Sequence, residues 1–203
     1  MFDLLIKNGL VVDGSGMPAY HGDVGIKDGK IAEVGKLDGE ATRVIDATGQ
    51  VVSPGFIDNH CHFDAQVTWD PLCTFSPNHG VTTVIFGNCS LGLAPVRAYD
   101  HEALAMMLSR VEAIPMESLA EGVNWDWETF PQYLDVIDRR LGVNVGVMMG
   151  HSAIRQYVMG DEAHEREEAT ADEIEEMKAI VRDGIRAGAV GLSFDRNRGH
   201  LDL

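Results

Sequence analysis

Two histidines separated by one residue, His60 and His62, follow the short strand-like segment Phe-Ile-Asp at residues 56–58. If the strand continues through them, positions i and i+2 project from one face, so both imidazoles point one way and Cys61 points the other. Imidazole nitrogens are preferred ligands of zinc. Chance proximity among the eight histidines of the chain explains the pair about as well as a metal site does, so the rest of the sequence must decide.

The composition restricts the kind of partner. The 203 residues carry 16 Lys and Arg against 32 Asp and Glu, a net charge of −16, which would repel nucleic acid and anionic membranes. No run approaches the about 20 apolar residues of a membrane span, and the start lacks the pattern of a secretory signal. The odd number of cysteines shows no disulfide-framework spacing. We therefore predict a reduced cytoplasmic protein with a small-molecule or protein partner, and no nucleic acid or membrane partner.

The first fifty residues predict a meander of short antiparallel strands. Asp28-Gly29 lies between two alternating apolar segments, and this dipeptide is a strong signal for a two-residue hairpin, which requires positive φ. A segment of this size buries little apolar surface and usually packs against a larger domain. We place a β-region at residues 1–52 and a second region at residues 53–203.

The second region alternates strands with helices. Near-continuous apolar runs, typical of parallel strands covered on both faces, occupy residues 51–60, 81–89, 143–151 and 189–195. Helices are predicted at about residues 101–114, 130–141 and 171–187, the last with a Thr170–Glu173 capping box. This order predicts right-handed βαβ units and a parallel sheet, either open or the start of a barrel. No Gly-x-Gly-x-x-Gly follows a strand, which disfavours dinucleotide binding.

Polar or metal-capable side chains follow all four predicted strands. They are residues 58–64, Asn88 to Ser90, His151 with Ser152, and Ser193 to Arg196. The carboxyl ends of parallel strands share one edge of a sheet, where catalytic groups of α/β folds lie. Histidine and cysteine together favour zinc over magnesium or calcium, and a thiol such as Cys89 would lose its proton to a bound metal. We predict a metal-centred site at this edge.

The segment PGFIDNHCHFDAQ resembles the first-strand signature of the amidohydrolase superfamily. The segments GNCSLGLAP, GHSAIRQYVMG and GAVGLSFD are similar to those of one branch, the N-acyl-D-amino-acid deacylases or D-aminoacylases. The N-terminal β-region resembles the accessory β-sandwich of that family. The resemblance implies an α/β fold, namely the first half of a metal-dependent (β/α)8 or TIM barrel at residues 53–203, preceded by a small β-sandwich segment at residues 1–52.

The resemblance also implies a ligand set. His60 and His62 would bind one zinc position and Cys89 would bind at, or bridge toward, the other, so one or two zinc ions are expected. Asp58 and Asp64 flank the histidines and could orient their second nitrogens, although capping or turn roles explain these aspartates equally well.

Two residues at and after the end of the third strand are weaker candidates. His151 and Arg155 lie where a substrate would be met, but a polar residue at a helix start and a surface arginine explain them nearly as well. We keep both as candidate substrate-binding residues.

The implied reaction is hydrolysis of the linear amide bond of an N-acyl-D-amino acid by a metal-activated water, with an aspartate carrying the proton to the leaving amine. In the superfamily that aspartate and two further histidines come from later strands, beyond Leu203. We therefore expect an incomplete site and little activity from this segment alone, and as partners the missing C-terminal half or a second copy.

Two other functions stay open at this point. One is a cyclic amidase of the hydantoinase or dihydroorotase type, which is disfavoured because such enzymes rely on a lysine after the fourth strand and no lysine follows Lys178. The other is a non-catalytic half-barrel that serves as an interaction domain.

Overall fold

The structure, a computed structural model, describes residues 1–195 and divides into two compact units. The first unit spans Met1–Gly55 and the second begins at Phe56. The first is a β-sheet, and the second is an α/β unit with a parallel sheet. The predicted fold class, a β-segment followed by the first part of an α/β barrel, is confirmed.

The first unit is one five-stranded sheet in which β1 is central. Its strands are β1 (Phe2–Val11), β2 (Tyr20–Lys27), β3 (Lys30–Gly35), β4 (Ala41–Asp46) and β5 (Val51–Val52). The predicted hairpin is confirmed, because Asp28 and Gly29 have φ angles of 52° and 70° and join the antiparallel strands β2 and β3.

The prediction of a purely antiparallel region was wrong. Strands β4 and β5 both pair with β1 in the parallel direction. The alternation of apolar and polar residues identifies a strand but carries no information about its direction. The direction depends on how later segments of the chain pair with β1.

The second unit contains a four-stranded parallel sheet in the order β6-β7-β8-β9. Its strands are β6 (Phe56–Asp58), β7 (Val81–Phe86), β8 (Asn144–Gly150) and β9 (Gly191–Ser193). The predicted first strand at residues 51–60 is divided, since Val51–Val52 belongs to the other sheet as β5. Pro54 lies between the two pieces, and a proline cannot donate to a strand ladder.

Six α-helices lie within residues 1–195. They are α1 (His101–Glu112), α2 (Met116–Gly122), α3 (Phe130–Ile137), α4 (His151–Met159), α5 (Glu162–Glu165) and α6 (Ala171–Ala187). The three predicted helices are confirmed as α1, α3 and α6, although α1 and α3 end earlier than expected. Helix α4 was missed because it begins directly after β8, without a linker that would separate the two patterns.

Helix α6 begins with the predicted capping box and ends at the predicted glycine. The Thr170 hydroxyl accepts the Glu173 N–H at 3.3 Å, and the Glu173 carboxylate accepts the Thr170 N–H at 2.7 Å. Gly188, with φ of 119°, ends the helix. Gly184 lets the helix approach β8, since a Cβ atom there would lie 2.2 Å from the sulfur of Met149.

The core of the second unit fixes the strands whose ends carry the candidate site. Side chains from β7, β8, α1 and α3 belong to one hydrophobic core, and each of the following is at most 4% exposed: Val84, Phe86, Val147, Met149, Leu104, Leu108 and Tyr133. Burial of one such side chain contributes about 1.5–3 kcal/mol. Within residues 1–195, no helix combines the length and apolar character needed to cross a membrane.

Candidate metal centre

His60, His62 and Cys89 come together beyond the carboxyl ends of β6 and β7. One ligand atom from each lies within 4.8 Å of the others, and Nε2 of His60 is 3.1 Å from Sγ of Cys89. Tetrahedral zinc with bonds of about 2.0–2.3 Å holds neighbouring ligand atoms roughly 3.5 Å apart. The spacing and the nitrogen–sulfur donor set therefore fit one zinc ion.

The two histidines converge for a reason different from the one predicted. Strand β6 ends at Asp58, so His60 and His62 lie in the segment after it rather than on the strand. The N–H of Cys61 donates to the carbonyl of Ile85 at 3.2 Å, and its thiol donates to the same carbonyl at 3.2 Å. Cys61 is thus tied to β7 while the rings of His60 and His62 approach to a centroid distance of 5.4 Å. Burial, followed by the carboxylates of Asp58 and Asp64, raises the pKa of Cys61 to about 12, which keeps its thiol protonated.

Cys89 is carried on a sharp turn after β7. Gly87, Cys89 and Ser90 have φ angles of 81°, 55° and 66°. Non-glycine residues adopt this left-handed region rarely, and they hold it where the surroundings enforce it. At Gly87 only glycine fits, because a Cβ atom would lie 2.0 Å from the carbonyl oxygen of Met148.

Asn88 joins the turn to the histidine segment. Its side chain is 6% exposed, and its Nδ2 donates to the carbonyl of Cys61 at 3.2 Å and to that of Ile85 at 2.9 Å. The first bond links the cysteine turn to the residue between the two histidines, and the second holds the turn to β7. Sequence reasoning placed Asn88 at a strand end but gave it no role.

The charges around Cys89 favour a cation. Burial raises the pKa of its thiol, and the carboxylates of Asp195, Glu112 and Asp64 raise the same pKa further. Negative groups that oppose a thiolate also attract a metal ion, which can then displace the thiol proton.

Asp58 and Asp64 are engaged with backbone groups. The Asp58 carboxylate accepts the N–H of His60 at 3.3 Å, which is a turn role. Asp64 is 1% exposed, and burial raises its pKa to about 7 although the N–H groups of Asp64 itself and of Gly87 lower it. Its Oδ2 accepts no hydrogen bond from the part of the chain that the structure describes. The role of either aspartate in orienting an imidazole stays a prediction.

Glu112 is a candidate that the sequence did not reveal. Its Oε1 lies 3.5 Å from Nδ1 of His62, and the two side chains are 22% and 16% exposed. Glu112 is the last residue of α1, and a carboxylate at a helix end carries no sequence signal for such a contact. Only the docking of α1 beside the histidine segment brings it there.

Aromatic side chains support the same segment. The hydroxyl of Tyr133 donates to the carbonyl of Asp64 at 2.7 Å, and the Tyr133 ring lies 5.0 Å from that of Trp127. Trp127 in turn donates from Nε1 to the carbonyl of Leu93 at 2.7 Å. Trp127 and Tyr133 are thus core residues that anchor the loops around the candidate site.

His151 and Arg155, the predicted substrate-binding pair, are placed on α4. His151 begins the helix, its ring lies 4.9 Å from that of Phe194, and burial together with the Arg155 charge lowers its pKa. Arg155 donates from Nε to the carbonyl of Ala163 at 2.9 Å and also to that of Arg166, so its guanidinium bonds to α5 and to the residue that follows α5. A substrate role for the pair stays a prediction.

The polar end of the fourth strand is described only in part. Ser193 lies at the end of β9, and the carboxylate of Asp195 contributes to the raised pKa of Cys89. Arg196 lies outside the described residues.

Comparisons with known proteins identify the family to which the chain is similar. The model of the amidohydrolase family matches residues 43–203. The D-aminoacylase of Alcaligenes xylosoxydans xylosoxydans is 36% identical over 194 residues, which cover 95% of this chain and 37% of the relative.

Two solved structures extend the likeness to three dimensions. A D-aminoacylase, described as having a binuclear metal centre, superposes with a TM-score of 0.79 at 38% identity over 96% of this chain and 38% of its own. The N-acyl-D-glutamate deacylase of Bordetella bronchiseptica, solved with zinc and a phosphonate inhibitor, gives 0.73 at 32% identity over 95% of this chain and 38% of its own. The chain thus spans 37–38% of the length of these relatives.

Proposed function

The chain belongs to the amidohydrolase family, and on that premise we propose that the protein carrying it removes the acyl group from N-acyl-D-amino acids by metal-dependent hydrolysis. One observation carries the proposal: Cys89 lies beside His60 at 3.1 Å, so a cysteine joins the histidine pair in a single ligand group. The relatives that share this part of the chain include a D-aminoacylase and an N-acyl-D-glutamate deacylase.

His60, His62 and Cys89 would hold the metal, and their spacing and donor set fit one zinc ion. A second zinc ion stays a prediction. Zinc, when bound, supplies an activated water and polarises the amide carbonyl. Cys89 must give up its thiol proton to become a ligand, and burial, followed by the nearby carboxylates, raises the pKa of that thiol. Protons therefore compete with the metal, and metal binding weakens at acid pH.

The remaining candidate residues either position this ligand group or are proposed to contact the substrate. Asn88 holds the cysteine turn to the histidine segment, and Glu112 is placed to fix the ring of His62. His151 stays a proposed substrate-side residue. Its ring, at the start of α4, lines a pocket of about 460 Å³ with Lys178 and Arg182 of α6, and the residues that line this pocket do not include the ligand group. Arg155 would act on the substrate side indirectly, through the α5 segment to which it bonds. The aspartate that carries the proton to the leaving amine stays a prediction.

The test is run on the whole protein encoded by the gene that contains this sequence, because the relatives are longer than the chain. Release of free amino acid is measured from paired N-acetyl-D- and N-acetyl-L-amino acids, and ring opening is measured with a hydantoin. Bound zinc is quantified in the same samples. We expect hydrolysis of the D-forms alone, and loss of both turnover and zinc in Cys89→Ala.

Two results would contradict the proposal. Ring opening without hydrolysis of the D-forms would indicate a cyclic amidase. A protein that carries zinc on His60, His62 and Cys89 but turns over none of the substrates would indicate a non-catalytic role. Cys61→Ala is the matched control, since Cys61 bonds to the Ile85 carbonyl and is outside the ligand group.

A further inference from the structure

Three serines from three strand ends meet behind the turn that carries Cys89. Ser193, at the end of β9, donates from Oγ to the carbonyl of Gly87 at 2.5 Å and accepts the N–H of Ser90 at 3.1 Å. One hydroxyl therefore holds the backbone on both sides of Cys89. Ser90 and Ser193 are 0% and 9% exposed, so water does not readily replace these bonds.

The third serine, Ser152, extends the contact to α4. Its Oγ lies 2.9 Å from Oγ of Ser90, and its N–H donates both to that oxygen at 2.9 Å and to the carbonyl of Ser90 at 3.0 Å. Gly150 permits this approach, because a Cβ atom there would lie 2.1 Å from the carbonyl of Leu91. The turn after β7 is thus fastened from the ends of both following strands.

The backbone of this turn requires such fastening. Cys89 and Ser90 are consecutive non-glycine residues with positive φ, a conformation that is unfavourable for each residue because Cβ comes too close to the following carbonyl oxygen. Without the bonds to Ser193 the turn could relax toward ordinary φ values, and the sulfur of Cys89 would move relative to His60. The hydrogen bonds therefore act on the position of a ligand atom as well as on stability.

We propose that Ser193 is a positioning residue that holds Cys89 in place for metal binding, so that docking of the fourth strand completes a ligand group carried by the first two. The inference rests on the proposed role of Cys89 as a ligand. Ser90 and Ser152 secure the same turn from its other side. Residues that orient metal ligands from behind typically change metal affinity by about 10–100-fold when they are removed.

The experiment compares Ser193→Ala with Ser193→Thr, which restores the hydroxyl, and with Thr68→Val. Thr68 is the matched control, since its hydroxyl likewise contacts the backbone at two places, the carbonyls of Ala65 and Gly122, at 2.7 and 3.0 Å. Zinc affinity is measured by competition with a chromophoric chelator. The cobalt(II) form is examined for the near-ultraviolet absorption of a cobalt–thiolate bond. Thermal unfolding of the metal-free proteins reports stability.

We expect Ser193→Ala to bind zinc about 10-fold or more weakly and to lose or shift the cobalt–thiolate absorption. Ser193→Thr should restore both, and Thr68→Val should lose stability while keeping the parent affinity and spectrum. Equal losses of affinity in Ser193→Ala and Thr68→Val, or a parent-like spectrum in Ser193→Ala, would overturn the inference. If Ser193→Ala does not fold, Ser193→Cys, whose thiol is only a weak donor and acceptor, takes its place. A parent-like affinity and spectrum in that variant would overturn the inference.

Cys89→Ala separates this inference from the proposed function. If Cys89→Ala binds zinc as tightly as the parent, the ligand assignment itself is wrong. If Cys89→Ala weakens binding while Ser193→Ala does not, the ligand assignment stands and only the positioning role fails.

Discussion

Nδ1 of His62 lies 3.5 Å from Oε1 of Glu112, so a carboxylate from the end of α1 faces the ring of a candidate metal ligand. Metal-bound imidazoles usually donate their second N–H to a carboxylate or carbonyl, which fixes the ring and makes it a better ligand. Helix α1 thereby contributes to the site although its sequence shows only an ordinary amphipathic pattern.

Removal of this carboxylate should weaken metal binding. We expect Glu112→Ala to lower zinc affinity about 10–100-fold, and Glu112→Gln, which keeps an acceptor oxygen, to lower it less. Chelator competition measures both. Glu102→Ala, an exposed change on the same helix, is the control and should have no effect. Parent-like affinity in Glu112→Ala would mean that the contact does not serve the metal.

The turn after β7 should tolerate no side chain at Gly87. We expect Gly87→Ala to reduce the free energy of unfolding by about 4 kcal/mol or more, because a positive φ is combined with a clash against the carbonyl of Met148. Gly80→Ala is the matched control, with a φ of 80° but ordinary contact with Phe56, and should cost about 1 kcal/mol. Urea unfolding measures the two. Similar losses at both positions would show that the turn relaxes freely.

Helix α6 should lose stability in acid through Glu173. The Arg166 guanidinium, followed by the Thr170 N–H, lowers the pKa of Glu173 to about 2 from its usual 4.5. A folded-state pKa below the unfolded value gives stability that is present above pH 4.5 and is lost as the pH falls toward 2. We expect Glu173→Gln to melt below the parent at pH 6, with a difference that disappears near pH 2.

Thermal melts between pH 2 and 6 measure this difference, and Glu176→Gln, an exposed change on the same helix, provides the control. A gap between Glu173→Gln and the parent that stays constant across the range would count against the ion pair and leave the capping geometry as the cause.

The parts of the fold that sequence predicted are those set by local chemistry. The Thr170–Glu173 capping box and the Asp28-Gly29 turn depend on residues three or fewer positions apart, and both are present as expected. Strand direction in the first sheet and the division of residues 51–60 depend on how distant segments pair. A pattern of apolar residues does not determine which segments pair or in which direction.

The candidate site likewise has residues that the sequence predicted and residues that it did not. His60, His62 and Cys89 could be grouped from sequence because strand ends converge in parallel α/β folds and because the segments resemble a family. Glu112 could not, since a glutamate at a helix end is ordinary in sequence. Ser193 was expected at the same edge of the sheet, but the sequence did not indicate its contact with the cysteine turn. Their roles arise from contacts across 50 residues, between Glu112 and His62, and across 103 residues, between Ser193 and Ser90.

X-ray absorption at the zinc edge of the metal-loaded protein tests the central claim most directly, since it reports which atoms surround the ion. With one equivalent of zinc we predict one sulfur at about 2.3 Å and imidazole nitrogens at about 2.0–2.1 Å, with the sulfur contribution lost in Cys89→Ala and kept in Cys61→Ala. A shell of nitrogen and oxygen alone in the parent protein, or a sulfur contribution that survives Cys89→Ala, would contradict the account.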